Sequence, residues 1–318
     1  MSRPAHHEET LVLGDSKHLV ATITWPVGSS PTATATSAST TTPASTPATT
    51  PGASAGGPPP VIALLTNSGV IPRSGPNRMN VHLARHFATL GIASVRFDLS
   101  GLGDSSRAAT PKPMMEQWIA DCRAVMDHAE RQHGCARFLM IGFCSGAEVA
   151  HLLGLQDERL RAALLWDMYA YPTTGSKLRF MSMRLSKLGF AGVVGKVRQR
   201  IARALSLSPA TVSRKEATPQ AIPSQPPDKA ALVKRLQTLV DRGVSLHFSF
   251  AEGNPHWFNH EGQFWAMFKG APFLKHVSFR FLREADHLLT EDRAQAAFIA
   301  MTDDWLKQRV LPGLKRQA

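Results

Sequence analysis

Cysteine and tyrosine are scarce in this chain, with three Cys and two Tyr in 318 residues. Cys122, Cys135 and Cys144 form neither a CxxC pair nor a disulfide framework, which argues for a reducing compartment. No apolar run reaches the roughly 18 residues that a membrane span needs, and MSRPAHHEETLVLG has no signal-peptide core. The expected location is therefore the cytoplasm, with no transmembrane segment. A P-loop is absent, and GLGDSS lacks the remaining glycines of a dinucleotide fingerprint. His256 and His260 stand four apart but lack the HExxH arrangement. No metal and no cofactor is expected.

Acidic residues are the other shortage. Lys and Arg total 36 against 24 Asp and Glu, a formal net charge of +12. The excess is local. Between Met168 and Lys215 stand Lys177, Arg179, Arg184, Lys187, Lys196, Arg198, Arg200, Arg203, Arg214 and Lys215, with no acidic residue. This stretch has no recognised nucleic-acid motif, so a nucleic-acid partner is not expected. Val193, Val197, Ile201 and Ala204 recur at helical spacing with Lys196, Arg200 and Arg203 on another face. Residues 168–228 are read as a basic helical cap. Such a cap would attract an anionic acyl substrate, or one held on an acyl carrier protein; a solvated amphipathic helix explains the pattern equally well.

At 43% hydrophobic, the chain can build a sizeable core. Residues 29–60 consist only of Ser, Thr, Ala, Pro and Gly, and read as a disordered loop that interrupts a sheet. Residues 1–28 supply its N-terminal strands. The core resumes over 61–167 and again over 229–318, where strand-like runs (VIALLT, ASVRFD, RFLMIGF, AALLWD, SLHFSF, VSFRFL) alternate with amphipathic helical stretches. That order predicts a mostly parallel eight-stranded sheet covered by helices on both faces.

The chemistry concentrates after RFLMIGF. Gly142-Phe143-Cys144-Ser145-Gly146 places small residues two positions either side of Cys144 and precedes a helical pattern. This is the form of a nucleophile elbow, where the strained turn leaves no room for flanking side chains. Ser145 as nucleophile would put Phe143 and Ala147 at those positions, and the phenylalanine would clash. Cys144 is therefore the expected nucleophile, and the Ser145 N–H an expected oxyanion donor. The second donor should come from the loop NSGVIPRSGPNR, with Val70 the candidate. Arg73 and Arg78 in that loop could grip a substrate carboxylate or phosphate, or equally serve as solvated loop charges or salt bridges to the fold.

His287, directly after VSFRFL, has the position of the base. For the third member Glu252 ranks first, because it follows SLHFSF where the acid is expected. Asp167, at the end of AALLWD, ranks second, and Asn254 third, since an amide can orient an imidazole beside a cysteine but cannot stabilise its charge.

The segments NSGVIPRSGPNR, VRFDLSGLGDS, IGFCSGAEVA, LLWDMYAYPT, FNHEGQF and ADHLLT resemble α/β hydrolases of the serine-aminopeptidase-like type and the exosortase-associated hydrolases, over about residues 61–290. The resemblance implies an α/β-hydrolase fold with an inserted cap, and keeps Cys144 as nucleophile and His287 as base. It leaves the acid open, because Asn254 departs from the commoner GxxD pattern. The expected activity is ester or thioester hydrolysis through an acyl-cysteine. Acyl transfer by the same nucleophile, or a catalytically silent protein binding a partner through the basic cap, are the alternatives.

Overall fold

The computed structural model describes residues 6–27, 61–186, 226–253 and 257–316. The Ser/Thr/Ala/Pro loop, most of the expected cap, Asn254 and His256 lie outside the described residues. The chain runs β1 (His6–Leu13), β2 (Leu19–Pro26), β3 (Ile62–Leu65), α1 (Met79–Thr89), β4 (Ala93–Phe97), α2 (Met114–His133), β5 (Phe138–Phe143), α3 (Ser145–Gln156) and β6 (Leu160–Trp166). A helix over 174–186, α4, follows. Then come α5 (Lys229–Asp241), β7 (Ser245–Ala251), α6 (Gly262–Met267), β8 (Ser278–Leu282), α7 (Asp292–Trp305) and α8 (Leu311–Arg316).

The eight strands form one sheet in the order β1-β2-β4-β3-β5-β6-β7-β8. β1 and β2 pair antiparallel, as do β2 and β4; every other neighbour is parallel. Parallel strands need crossovers, and the crossover helices cover both faces, so the central strands are apolar throughout. Their alternation divides them between two cores. Phe138 and Met140 of β5 join one with Cys122 of α2 and Leu236 of α5. Leu139, Ile141 and Phe143 join the other with Leu83 and Phe87 of α1 and Phe298 of α7. Cys122 and Cys135 are buried as small hydrophobes, and burial pushes both thiols up, well up in the case of Cys122.

The order of strands also determines where a ligand can sit. From β3 the chain crosses to β4 on one side; from the adjacent β5 it crosses to β6 on the other. The connections diverge between β3 and β5, which opens a crevice at their carboxyl ends. The turn after β5 borders it. The sheet agrees with expectation strand for strand, while the run from Val61 to Thr66 shortens to Ile62–Leu65 because Thr66 and Asn67 turn into the crevice loop.

β5 and α3 meet so closely that a Cβ at Gly142 would lie 2.4 Å from the Gly146 carbonyl oxygen and 2.5 Å from Ala147 Cα. Both are backbone atoms and cannot rotate away. Gly142→Ala should therefore cost at least about 3 kcal/mol, the upper part of the overpacking range. At Gly262, in α6, an added Cβ meets nothing within 4 Å, so Gly262→Ala should be neutral or gain up to about 1 kcal/mol. Urea denaturation of the two variants checks this, and equal effects would contradict the close packing.

Candidate active site

Cys144 lies between the last residue of β5 and the first of α3, with φ 53° and ψ −114°. Such a backbone costs a side-chain-bearing residue on the order of 1–3 kcal/mol and persists only where its surroundings enforce it. Here the Cys144 N–H donates to the Trp166 carbonyl (3.0 Å), and the Cys144 carbonyl accepts from the Ala147 N–H (3.0 Å) at the start of α3. The thiol stands half-buried at the crevice. Ser145 begins the helix, so its N–H has no intrahelical partner. Its hydroxyl is engaged: Oγ accepts the Gly69 N–H at 2.8 Å.

The imidazole comes from the loop between β8 and α7. His287 Nδ1 lies 2.7 Å from Asp167 Oδ2, and the Cys144 side chain acts on the same ring. Asp167 directly follows β6 and is itself left-handed at φ 49°. Its N–H donates to the Ser249 carbonyl (2.8 Å), and its other carboxylate oxygen accepts the Ala251 N–H (2.9 Å). One oxygen thus anchors the carboxylate to β7 while the other faces the ring. The indole Nε1 of Trp166 donates to the His287 carbonyl (3.0 Å), tying the histidine loop to β6. Leu289, fully buried at φ 52°, fixes the following turn. Its N–H donates to the Asp286 carbonyl at 3.2 Å.

For the third member the sequence ranks Glu252 ahead of Asp167. Glu252, placed first, makes no side-chain hydrogen bond or ion pair among the described residues, while Asp167 holds the imidazole. The reason lies in the strand: Ala251 faces the core beneath the histidine loop, so alternation turns the next side chain away. The backbone of Glu252 meanwhile extends the pairing with β8 through Leu282.

Arg73, left open between a substrate contact and a salt bridge to the fold, makes the salt bridges. Its guanidinium pairs with Asp98 and with Asp104 (2.6 Å to the latter), and its N–H donates to Asp98 Oδ1 (2.6 Å). It is a brace between two loops, made through Nη1. Arg78 is exposed, left-handed at φ 63°, and forms no ion pair among the described residues. Its neighbour Asn77 donates from Nδ2 to the Leu288 carbonyl (2.9 Å), so this loop borders the histidine loop. The N–H of Val70 has no acceptor among the described residues, whereas those of Gly69 and Ile71 are taken by Ser145 Oγ and the Ser68 carbonyl.

The network around Asp98 escaped sequence reading. Asp98 is fully buried and accepts from Asn67 Nδ2 (3.0 Å), Arg73, and the Asp104 N–H (3.1 Å). The signal was the pair of aspartates in DLSGLGD opposite a polar TNSG loop, which is hard to assign before the two loops are brought together. Among the described residues no three His, Cys, Asp or Glu side chains gather as metal ligands, and no helix is long and apolar enough to cross a membrane.

The sheet order, the strand-to-helix turn and the histidine after the last strand define an α/β-hydrolase fold. The family model described as serine aminopeptidase, S33, matches residues 77–235, half of the 318-residue chain, and the chain belongs to that family of α/β-fold hydrolases. Among solved structures it is similar to the esterase domain of a Rhodothermus marinus protein, at 17% identity and TM-score 0.51, covering 96% of this chain and 99% of that one. It is also similar to an esterase of Pyrococcus furiosus, at 11% identity and TM-score 0.53, covering 96% and 91%. At these identities the similarity is one of fold. No curated protein matches.

Hydrogen bonds to Asp167 and Cys144 push His287 up to about 10, against the opposing effect of burial. A histidine whose folded pKa exceeds its unfolded value contributes stability that is full below about 6.5 and lost as pH rises through about 10. The unfolding free energy of wild type minus that of His287→Gln should therefore decline steadily between those pH values. Denaturant titrations at pH 6, 8 and 10 measure it; a difference independent of pH would remove the charged imidazole from the site.

Proposed function

We propose that this protein hydrolyses an ester or thioester through an acyl-Cys144 intermediate, with His287 as acid and base and Asp167 as its orienting carboxylate. The single observation carrying the proposal is the contiguous chain Cys144–His287–Asp167, which ends on a carboxylate anchored to β7 at the crevice.

Cys144 Sγ gives its proton to His287 and attacks the carbonyl carbon. The C–S bond forms while the carbonyl π pair moves to oxygen, held by the N–H groups of Ser145 and Val70. Collapse breaks the bond to the leaving alcohol or thiol, which takes the proton from His287. Water then attacks the acyl-cysteine, His287 accepts its proton, and the acid leaves with Cys144 restored. If another acceptor takes the place of water, the same steps transfer the acyl group.

Asp167 matters because the imidazolium appears in every step. A carboxylate beside the Nδ1–H stabilises that charge and fixes the ring's tautomer, so that Nε2 faces the sulfur. The family's name specifies serine, yet the thiol suits this setting. With an unperturbed pKa near 8.5 it is far easier to ionise beside a histidine than a hydroxyl.

Arg78 at the crevice rim, with Lys177, Arg179 and Arg184 exposed on or beside α4, supports an anionic substrate, either free or on an acyl carrier protein. Three free cysteines support work in a reducing compartment, the cytoplasm.

Turnover of p-nitrophenyl esters and acyl-thioesters by variants tests the proposal. Cys144→Ala should abolish turnover, and intact mass should show the acyl increment on Cys144 in wild type. Asp167→Asn should lower the acylation rate by at least about tenfold, roughly 1.4 kcal/mol, while Glu252→Gln stays within about twofold. Full activity in Cys144→Ala would sink the nucleophile, and the reverse acid pattern would return the role to Glu252.

A further inference from the structure

The Ser145 side chain is not the nucleophile in this reading, yet it makes a specific contact. Its Oγ accepts the Gly69 N–H at 2.8 Å, joining the first turn of α3 to the crevice loop after β3. Gly69 lies one residue before Val70, whose N–H is the free donor of the arch from Gly69 to Ile71. The base of this arch is fixed independently. Asn67, buried, donates from Nδ2 to the Ile71 carbonyl (2.9 Å) and to Asp98 (3.0 Å), while its Oδ1 accepts the Leu99 N–H (2.6 Å). Asn80 Nδ2 holds the Thr66 carbonyl (3.0 Å), and Arg73 ties the far end to Asp98. These bonds fix where the loop begins and ends, but none reaches the helix that carries Cys144.

We propose that Ser145 is a positioning residue: its hydroxyl pins the Gly69–Ile71 arch to the start of α3, so that the N–H groups of Val70 and Ser145 converge on one oxyanion. The inference rests on the acyl-Cys144 reading and adds a role for the residue beside the nucleophile. Two donors on separate elements act together only if their spacing is held to a few tenths of an ångström, since a donor must meet the oxyanion at about 2.7–3.1 Å. Loop and helix have no covalent link near the site, and the Ser145 hydroxyl supplies a direct bond between them.

Deleting the hydroxyl frees the Gly69 N–H, which is only half-buried and can bond water, so the fold should survive. The arch loses its tether. Acylation by an ester builds an oxyanion and should suffer. Alkylation of Cys144 by iodoacetamide should not, because sulfur displaces iodide at a tetrahedral carbon and no oxyanion forms.

The experiment measures both rates on the full-length protein, wild type, Ser145→Ala, Ser145→Thr and Cys144→Ala, with single-turnover p-nitrophenyl acetate and iodoacetamide and intact-mass detection. In Ser145→Ala, acylation should fall at least about tenfold, in kcat with little change in KM. Alkylation should stay within about twofold of wild type, and Ser145→Thr, which restores a hydroxyl, should recover most of the acylation. Ser145→Gly serves as a second deletion should the alanine variant fold poorly. Acylation unchanged in the hydroxyl deletions, or acylation and alkylation falling together, would overturn the positioning role while leaving acyl-Cys144 intact. Acyl mass found elsewhere than on Cys144, with turnover surviving Cys144→Ala, would instead overturn the underlying reading.

Discussion

The turn between β5 and α3 constrains the rest of the site. A parallel strand must reverse into its crossover helix within a few residues, and here it does so with a left-handed cysteine flanked by glycines whose missing side chains let strand, helix and crevice loop touch. A Cβ on Gly142 would strike the helix backbone, and one on Gly146 would come within 3.0 Å of the Asn67 carbonyl oxygen. Because the turn is closed from both sides, the sulfur has one direction left, outward over the sheet's carboxyl edge. Everything that acts on it must then be delivered to that point from other strands.

Delivery is achieved with more strained backbone. Asp167 and Leu289, like Cys144, have positive φ with full side chains. Each costs on the order of 1–3 kcal/mol, and each is held by bonds or burial that a relaxed conformer would lose. Asp167 exchanges hydrogen bonds with β7 at both its N–H and its carboxylate; Leu289 seals the histidine loop against the apolar core under α7. The Trp166 indole completes the assembly by bonding the His287 carbonyl. The carbonyl of Trp166 accepts the Cys144 N–H and the next residue supplies the carboxylate, so the end of β6 positions Cys144, His287 and Asp167 together.

The sheet was legible in the sequence because parallel central strands are continuous apolar runs, and their alternation with helical patterns admits few topologies. The places of Cys144 and His287 were legible for a related reason: a tight strand-to-helix turn needs glycines at set offsets, and the histidine directly follows the last strand-like run. The carboxylate beside that histidine was not. Glu252 and Asp167 both follow strands at the correct end of the sheet, and only the register of β6, β7 and β8 decides which side chain faces the imidazole. Arg73 was ambiguous for want of partners, since Asp98 and Asp104 lie some 25 to 31 residues away in sequence. The Ser145 hydroxyl was invisible for the same reason, its partner being a backbone N–H 76 residues away.

Sulfur as the proposed nucleophile has consequences for the whole charge arrangement. With oxygen as nucleophile, a histidine raised to about 10 would be protonated at neutral pH and a poor base, so strong coupling to a buried carboxylate would work against the first step. With sulfur the same coupling favours the step, because the protonated ring is the partner that the forming thiolate needs. The raised histidine, the half-buried thiol and the carboxylate anchored on two sides are therefore mutually consistent. On the proposed acyl-Cys144 reading the oxyanion donors matter the more, since the proton transfer to His287 is itself favoured. That shift places the demand for accuracy on the loop after β3, where the buried asparagine, the Arg73–Asp98 brace and the Ser145 hydroxyl converge.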